Sequence, residues 1–520
     1  MRINFILICF ALLILGNSKS EAQVTFSEHI APIIYNHCTS CHRTGEIAPF
    51  PLTNYNEVAE WADMIKYVTG IKYMPPWKPD PQYQRYLQEN FLSEDEIQKI
   101  SDWVDQGTPQ GNTALEPALP VYPGGSQVGV PDLTLSFAQS YNHVGNNVDE
   151  YRFFVLPTGL TQDKDLVALE LRPGNKNIVH HTLIWQDTTG QSALDDAATP
   201  EYGYTQGDGG LENQLPGYVP GVRPIVLTNG FAQKLYAGAD LKLQMHYAPV
   251  AADEADSTTV NLFFADQPAT RFLQSYIMLP LPPILTNGPF VIPANEVREF
   301  HGALPVPFDV SLFSIAPHMH KLGTHWKVYA VKPDGDTINL ISINNWDFNW
   351  QGGYQFKHLI HVPAGSVIHA LAGYDNTVNN PLNPNDPPQL ITWGEGTSDE
   401  MYYLPLSYLF YQPGDELIEF EDPLTTGLNL YSVKDKLYPV SPNPSAGDVK
   451  FGYSLETSGE ISISLYTMQG SKIQTMMSNK YHLPGLHSSQ LSVSDLSAGV
   501  YFLEFTKGNV RQVEKVVVVK

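Results

Sequence analysis

Apolar positions along the chain change their period twice. Residues 5–15 form an unbroken apolar run behind Arg2, too short to cross a bilayer, and read as the core of a secretory signal. Small residues at Ser20-Glu21-Ala22 put cleavage before Gln23, so residues 1–22 are the signal. Cys9 sits inside that run behind bulky Ile8, which argues against a lipoprotein. Over residues 24–115 the spacing is helical. Residues 26–35 and 57–68 read as helices, the second with Met64 on its core side. Ile97, Ile100 and Val104 recur at helical spacing behind Ser93, which is placed to cap an acidic first turn, and Gly107 stops the run. From residue 128 the helical period gives way to short β-rich runs such as Leu166-Val-Ala-Leu-Glu-Leu and Leu241-Lys-Leu-Gln-Met, separated by Pro, Gly, Asn and Asp. This predicts two tandem, jelly-roll-like β-sandwiches, 128–268 and 269–430. A further alternating set over 437–520 predicts a C-terminal β-sandwich, and the Pro- and Gly-rich stretch 112–127 reads as a linker. The fold class expected is therefore multidomain and mainly β, with one small α-helical domain at 24–115.

Composition supports several cores and excludes some partners. The chain has 520 residues, 42% hydrophobic and 11% aromatic, which suits three or four domains. Lys+Arg 30 against Asp+Glu 54 gives a formal charge of −24, which argues against nucleic acid or an anionic membrane surface as partner. No segment after the signal is long and apolar enough for a transmembrane helix. Of the three cysteines only Cys38 and Cys41 lie outside the signal, so disulfides cannot staple the large domains; core burial and bound cofactors must stabilise them.

Those two cysteines sit in Cys38-Thr39-Ser40-Cys41-His42, the c-type haem attachment pattern. The thiols add across the haem vinyls and His42 becomes the proximal iron ligand. Met74, in Lys72-Tyr73-Met74-Pro75-Pro76-Trp77, is the candidate sixth ligand, its loop stiffened by the prolines. The segment resembles the small cytochrome c domains fused to bacterial secreted oxidoreductases, which implies haem c as a cofactor.

The second chemical signal is Ala316-Pro317-His318-Met319-His320-Lys321-Leu322-Gly323. In a strand, alternate side chains share a face, so His318 and His320 project together, and imidazole pairs suit copper, zinc, iron or nickel. Further donors lie in His180-His181, in Gln244-Met245-His246-Tyr247 and at Met401 after a glycine-rich polar loop. Adjacent histidines face apart in a regular strand, so joint ligation by His180 and His181 requires a bulge, twist or strand end. The remaining histidines, His143, His301, His325, His358, His361 and His369, read as structural.

Taken in order, His-His, Gln-x-His-Tyr, His-x-His with Lys-Leu-Gly, and Thr-Ser-Asp-Glu-Met resemble the copper type II, ascorbate-dependent monooxygenases, the family of peptidylglycine hydroxylase and dopamine β-hydroxylase, over roughly residues 131–420. The resemblance implies two coppers. His180, His181 and His246 hold the electron-storing one. His318, His320 and Met401 hold the one where O2 and substrate react, a solvent-filled cleft separates the two, and Gln244 is a polar link between them. It implies a secreted oxidoreductase that hydroxylates a C–H bond of a small organic substrate. Electrons come from ascorbate or a redox protein, and the fused haem offers a route. The chain departs from the peptide-amidating branch at Ala316, Tyr403 and Pro405, where that branch places an arginine, an asparagine and a tyrosine, so the residues that would grip a peptide carboxylate are missing. The alternative is a non-catalytic haem and copper electron carrier or copper-binding surface protein; a third possibility is a sandwich adhesin with structural histidines.

Over about the last eighty residues, Pro442-Asn443-Pro444 and Ala498-Gly499-Val500-Tyr501 resemble the sorting domain of the bacterial type IX secretion system. That implies export through periplasm and outer membrane, with the secretion machinery as partner and the product secreted or held at the cell surface.

Overall fold

The computed structural model describes residues 23–120, 126–205, 207, 213–420, 435–438, 440, 443–455, 457–482 and 485–520. The secretory signal, with Cys9, lies outside the described residues. The protein is mainly β, and no helix among the described residues is long and apolar enough to cross a membrane.

Two compact units divide the chain. One comprises residues up to Pro75 together with Phe91–Pro120, the other Pro76–Asn90 and everything from Val121 onward. The first is helical. A π-helical turn, Phe26–Ile30, runs into the helix Ala31–His37; Tyr55–Glu60 starts at Asn54, whose side chain accepts the Glu57 amide; Glu94–Asp105 starts at a full capping box between Ser93 and Glu96. Phe26, Ile34, Val58, Ile65, Ile100 and Trp103 form the core. The helix expected over 57–68 is instead two, Tyr55–Glu60 and Ala62–Gly70, broken at Trp61, whose ring stacks on Phe50 at 4.2 Å. Met64 is not a core residue. The second helix buries Ala62, Ile65 and Thr69 on one stripe, which leaves Met64 on another face and 50% exposed.

In the second unit the first sandwich pairs the strands Leu133–Ser136, Thr259–Phe264, Lys164–Arg172, Phe231–Leu235 and Arg271–Phe272 in one sheet. Glu150–Pro157, Asp240–Tyr247, Val179–Asp187 and Gln214–Tyr218 form the other. The second sandwich pairs Gln274–Met278, Leu404–Phe410, Val310–Ile315 and Tyr354–Val362 against Val297–Pro305, Val367–Asp375, Gly323–Val331 and Thr337–Ile343. Val310–Ile315 is buried at all six positions, because it is central in its sheet and covered on both faces. It leads directly into the His-x-His segment. The C-terminal module has its own core around Val449, Phe451, Ile463, Leu465, Leu503 and Phe505, between a three-stranded and a four-stranded sheet.

Pro76–Asn90 interrupts the helical unit in sequence yet is a strap on the second sandwich. Pro79 bridges Ile343 and Tyr86 bridges Phe356, Lys78 pairs with Asp347 at 3.0 Å, and Glu89 pairs with Lys357 at 3.5 Å. Tyr86 is its anchor. The ring is buried against Tyr354 and Phe356, and the hydroxyl donates to the Leu340 carbonyl at 2.6 Å. Tyr86→Ala is expected to cost about 3–5 kcal/mol through the lost ring, and Tyr86→Phe about 1–2 kcal/mol through the orphaned carbonyl. Urea midpoints give both; equal values for the two variants and the wild type contradict the anchoring role.

Candidate metal centre

The strand Val179–Asp187 pairs with Asp240–Tyr247, and the ladder loses register between Val179 and His181. That irregularity lets the adjacent pair act together. His181 stands opposite His246, and the ligand nitrogens of His180, His181 and His246 all lie within 4.8 Å of one another. His181 Nδ1 lies 3.3 Å from His180 Nδ1 and 3.2 Å from His246 Nδ1. Burial pushes His180 down to about 4 and His181 well below its ordinary value, with His246 adding to both shifts. Imidazole nitrogens this close cannot all turn lone pairs toward one another without repulsion. A cation among them removes the conflict, so the set fits a borderline, imidazole-binding metal such as copper.

The outer side of this trio is fixed as well. His246 Nε2 lies 2.7 Å from Asp149 Oδ1, which leaves Nδ1 for the cluster. Burial works against the charge on Asp149, but the hydrogen bond from His246 holds its carboxyl below the usual range. Tyr151 stacks on the His246 ring at 4.3 Å and 7°.

His318 and His320 do not lie in a regular strand. The chain leaves the ladder after Ile315, and His318 keeps only an isolated bridge to Tyr403, with its amide donating to the Tyr403 carbonyl at 2.8 Å. Alternation survives all the same: Met319 is buried in the core while the flanking imidazoles sit 5.2 Å apart at 89°. Gly323 makes this possible, since a Cβ there would meet Met319 Sδ at 2.3 Å. Glu400, fully buried, ties the segment to Met401. Its oxygens accept the amides of His320 (2.8 Å), Leu322 (2.6 Å) and Met401 (3.2 Å). Burial pushes this carboxyl up to about 8 despite those donors. Burial also lowers His320 to about 4 and His318 well below its usual range. Met401 is buried and lines the same cavity as His318 and His320, so a soft thioether and two imidazoles border one cavity.

The two trios are not held apart by a cleft. The rings of His181 and His318 are 5.9 Å apart, and Phe348 fills the space between the groups, stacked on His180 at 5.2 Å and edge-on to His320 at 6.0 Å. Polar links between the sandwiches close around them. Gln244 donates to Glu395 (2.8 Å), Tyr151 meets Thr397 (3.0 Å), and Tyr403 donates to Gln214 (3.1 Å). A cavity of about 1040 Å³ opens on the cluster, lined by His181, His318, His320 and Met401. Elsewhere His143 pairs with Glu150, His325 with Glu299, His361 with Asp309, and His301 with His369.

In the helical unit, Cys38, Cys41 and His42 follow the helix Ala31–His37 in consecutive turns. His42 Nδ1 lies 3.0 Å from the Phe50 carbonyl, which leaves Nε2 as the free donor that an axial ligand needs. Burial lowers His42, against the hydrogen bond to Phe50, and burial pushes the Cys38 thiol up to about 12. These residues fit a covalently held haem. Met74 is half-buried beyond the helix Ala62–Gly70, its amide donating to Val68 (3.1 Å), and no described contact joins it to His42.

Asp149, Tyr151, Phe348 and Glu395 carry no signal in the sequence, because one carboxylate among 54 acidic residues cannot be told from the rest. Glu400 was discoverable: an acidic residue next to Met401 at the edge of an apolar strand implies buried partners.

Comparison with known proteins supports one module. Residues 438–519 match the family model of the secretion system C-terminal sorting domain. No curated protein sequence matches the chain. Among solved structures, the β-glucuronidase of Parabacteroides merdae with glycerol in its active site overlaps 43% of this chain and 28% of its own at 10% identity and TM-score 0.14. That of Faecalibacterium prausnitzii overlaps 49% and 47% at 12% identity and TM-score 0.16. That of Ruminococcus gnavus with uronic isofagomine overlaps 48% and 45% at 10% identity and TM-score 0.17. The chain spans less than half the length of each, and TM-scores this low carry no weight for fold or chemistry. The C-terminal module is a type IX secretion sorting domain, and the protein is exported, to be secreted or held at the cell surface.

Proposed function

We propose that the protein is a copper-dependent monooxygenase that hydroxylates a C–H bond outside the cell. One observation carries the reading: the large cavity ends on imidazoles from both trios and on Met401, the place where a substrate must meet the reacting centre. An electron carrier or copper store needs the donors but not the cavity, which weighs against the non-catalytic alternative.

Hydroxylation consumes R–H, O2, two electrons and two protons and yields R–OH and water. His318, His320 and Met401 would hold a copper able to activate dioxygen, and His180, His181 and His246 would hold one able to store the second electron. The protein's own groups do the rest. Asp149 fixes the tautomer and direction of His246, Glu400 holds the His-x-His segment to the Met401 loop, and apolar cavity walls keep water from the reacting carbon. Close packing of the trios through Phe348 favours a short path between them. Cys38, Cys41 and His42 would hold a haem, which would supply electrons from the same polypeptide.

Asp149→Asn is expected to weaken copper binding at one of two sites by about 10–100-fold and leave the other unchanged; copper titration with a chromophoric chelator reads this, and two unaltered sites refute the role. His318→Ala and Met401→Ala are expected to abolish substrate-dependent oxygen uptake while the haem spectrum stays as in the wild type; retained turnover refutes the assignment. Ala316, Tyr403 and Pro405 all line the cavity and none is a cation, so a glycine-extended peptide is expected to give no amidated product by mass spectrometry.

A further inference from the structure

The cavity that meets the histidine cluster is far more apolar than recognition of a small polar metabolite requires. Its walls include Leu183, Leu215 and Phe290. Its lining also takes in Val222, Leu281 and Trp393, which are 37%, 57% and 39% exposed, so that apolar surface continues out to solvent. Large hydrophobic side chains left in water next to a deep apolar cavity mark a ligand-binding mouth. Charge in the lining is sparse. Arg223 is the only lysine or arginine among the described lining residues, against two carboxylates, Glu170 and Glu395. Both acids are already engaged. Glu170 accepts the Gln127 amide at 2.7 Å and Asn261 Nδ2 at 3.1 Å, and Glu395 accepts Gln244 Nε2 at 2.8 Å. A carboxylate ligand therefore meets a lining with a formal excess of negative charge, and a charged head of either sign gives up its hydration on entering a mainly apolar cavity. At about 1040 Å³ the volume lies at the top of the range that encloses drug-sized ligands, well beyond one aromatic ring or one amino acid.

We infer that the substrate is an uncharged, predominantly hydrocarbon molecule, such as a long-chain or polycyclic lipid-like compound, that enters past Leu281 and Trp393 with the carbon to be hydroxylated held at His318, His320 and Met401. This rests on the proposed monooxygenase reading for the reaction, but the recognition itself does not need it. Apolar contact supplies the affinity, and uncharged polar side chains of the lining, such as Gln214, Gln351 and Ser314, set the orientation.

The test uses the full chain, stripped of copper, with the neutral fluorophore N-phenylnaphthylamine as probe and straight-chain alcohols as competitors. Each added methylene is expected to tighten competition about fourfold, the equivalent of about 0.8 kcal/mol per buried CH2. At equal chain length, decanoate and decylamine are expected to compete at least tenfold more weakly than decanol. Trp393→Ala, at a position exposed enough to tolerate change, is expected to weaken probe binding several-fold, while Leu417→Ser, on an 82% exposed leucine that does not line the cavity, leaves it unchanged. No probe binding, competition independent of chain length, charged competitors as effective as decanol, or equal effects of the two variants each overturn the inference. Because neither metal nor turnover enters the measurement, a protein that binds alcohols but no copper sinks the oxygenase reading alone, and one that binds copper but no alcohol sinks this inference alone.

Discussion

The architecture turns on holding a group of imidazoles out of water and pointed at one another. His180, His181, His246, His318 and His320 come from three separate stretches, and burial pushes four of them below their ordinary range. Lone pairs that converge at 3.2–3.3 Å repel unless something positive lies between them. The surrounding structure holds that arrangement from outside: Asp149 behind His246, Glu400 behind the His320 amide, and Tyr151 and Phe348 against the ring faces. Glu400 is fully buried, and a carboxyl there is costly to place, so it marks geometry the fold maintains at some expense of stability.

Neither sandwich completes the site alone. The first supplies three imidazoles from two paired strands and the second supplies the His-x-His segment and Met401. Three polar links, Gln244 to Glu395, Tyr151 to Thr397 and Tyr403 to Gln214, fasten the halves where the metals would sit. All of these residues except Thr397 also border the cavity, so the links between the sandwiches and the cavity wall share the same side chains. The sorting domain has a hydrophobic core of its own, separate from those of the two sandwiches.

Local rules made part of this legible in the sequence. Ser93 caps its helix as its place before an acidic first turn implies, with Glu96 completing a capping box, and the pair at 180–181, which needs a bulge, twist or strand end to act together, sits at a register shift in the ladder. The His-x-His alternation holds even though the segment lies outside a strand, since Met319 alone turns into the core. What sequence could not give was partnership across long separations. Met64 was placed in the core because its apolar character outweighed the phase of its helix, which puts Ala62, Ile65 and Thr69 inside. The cleft between trios came from family resemblance; Phe348, an aromatic in a loop of the second sandwich, fills it and has no motif to announce it. The strap 76–90 was invisible because the hydrogen bond from Tyr86 to Leu340 spans 254 positions.

The most direct test of the central claim is anomalous diffraction at the copper edge from crystals of the copper-loaded full chain. The expected map has two peaks, one bounded by His180, His181 and His246 and one by His318, His320 and Met401. No copper peak at either trio, or a single peak elsewhere in the chain, contradicts it.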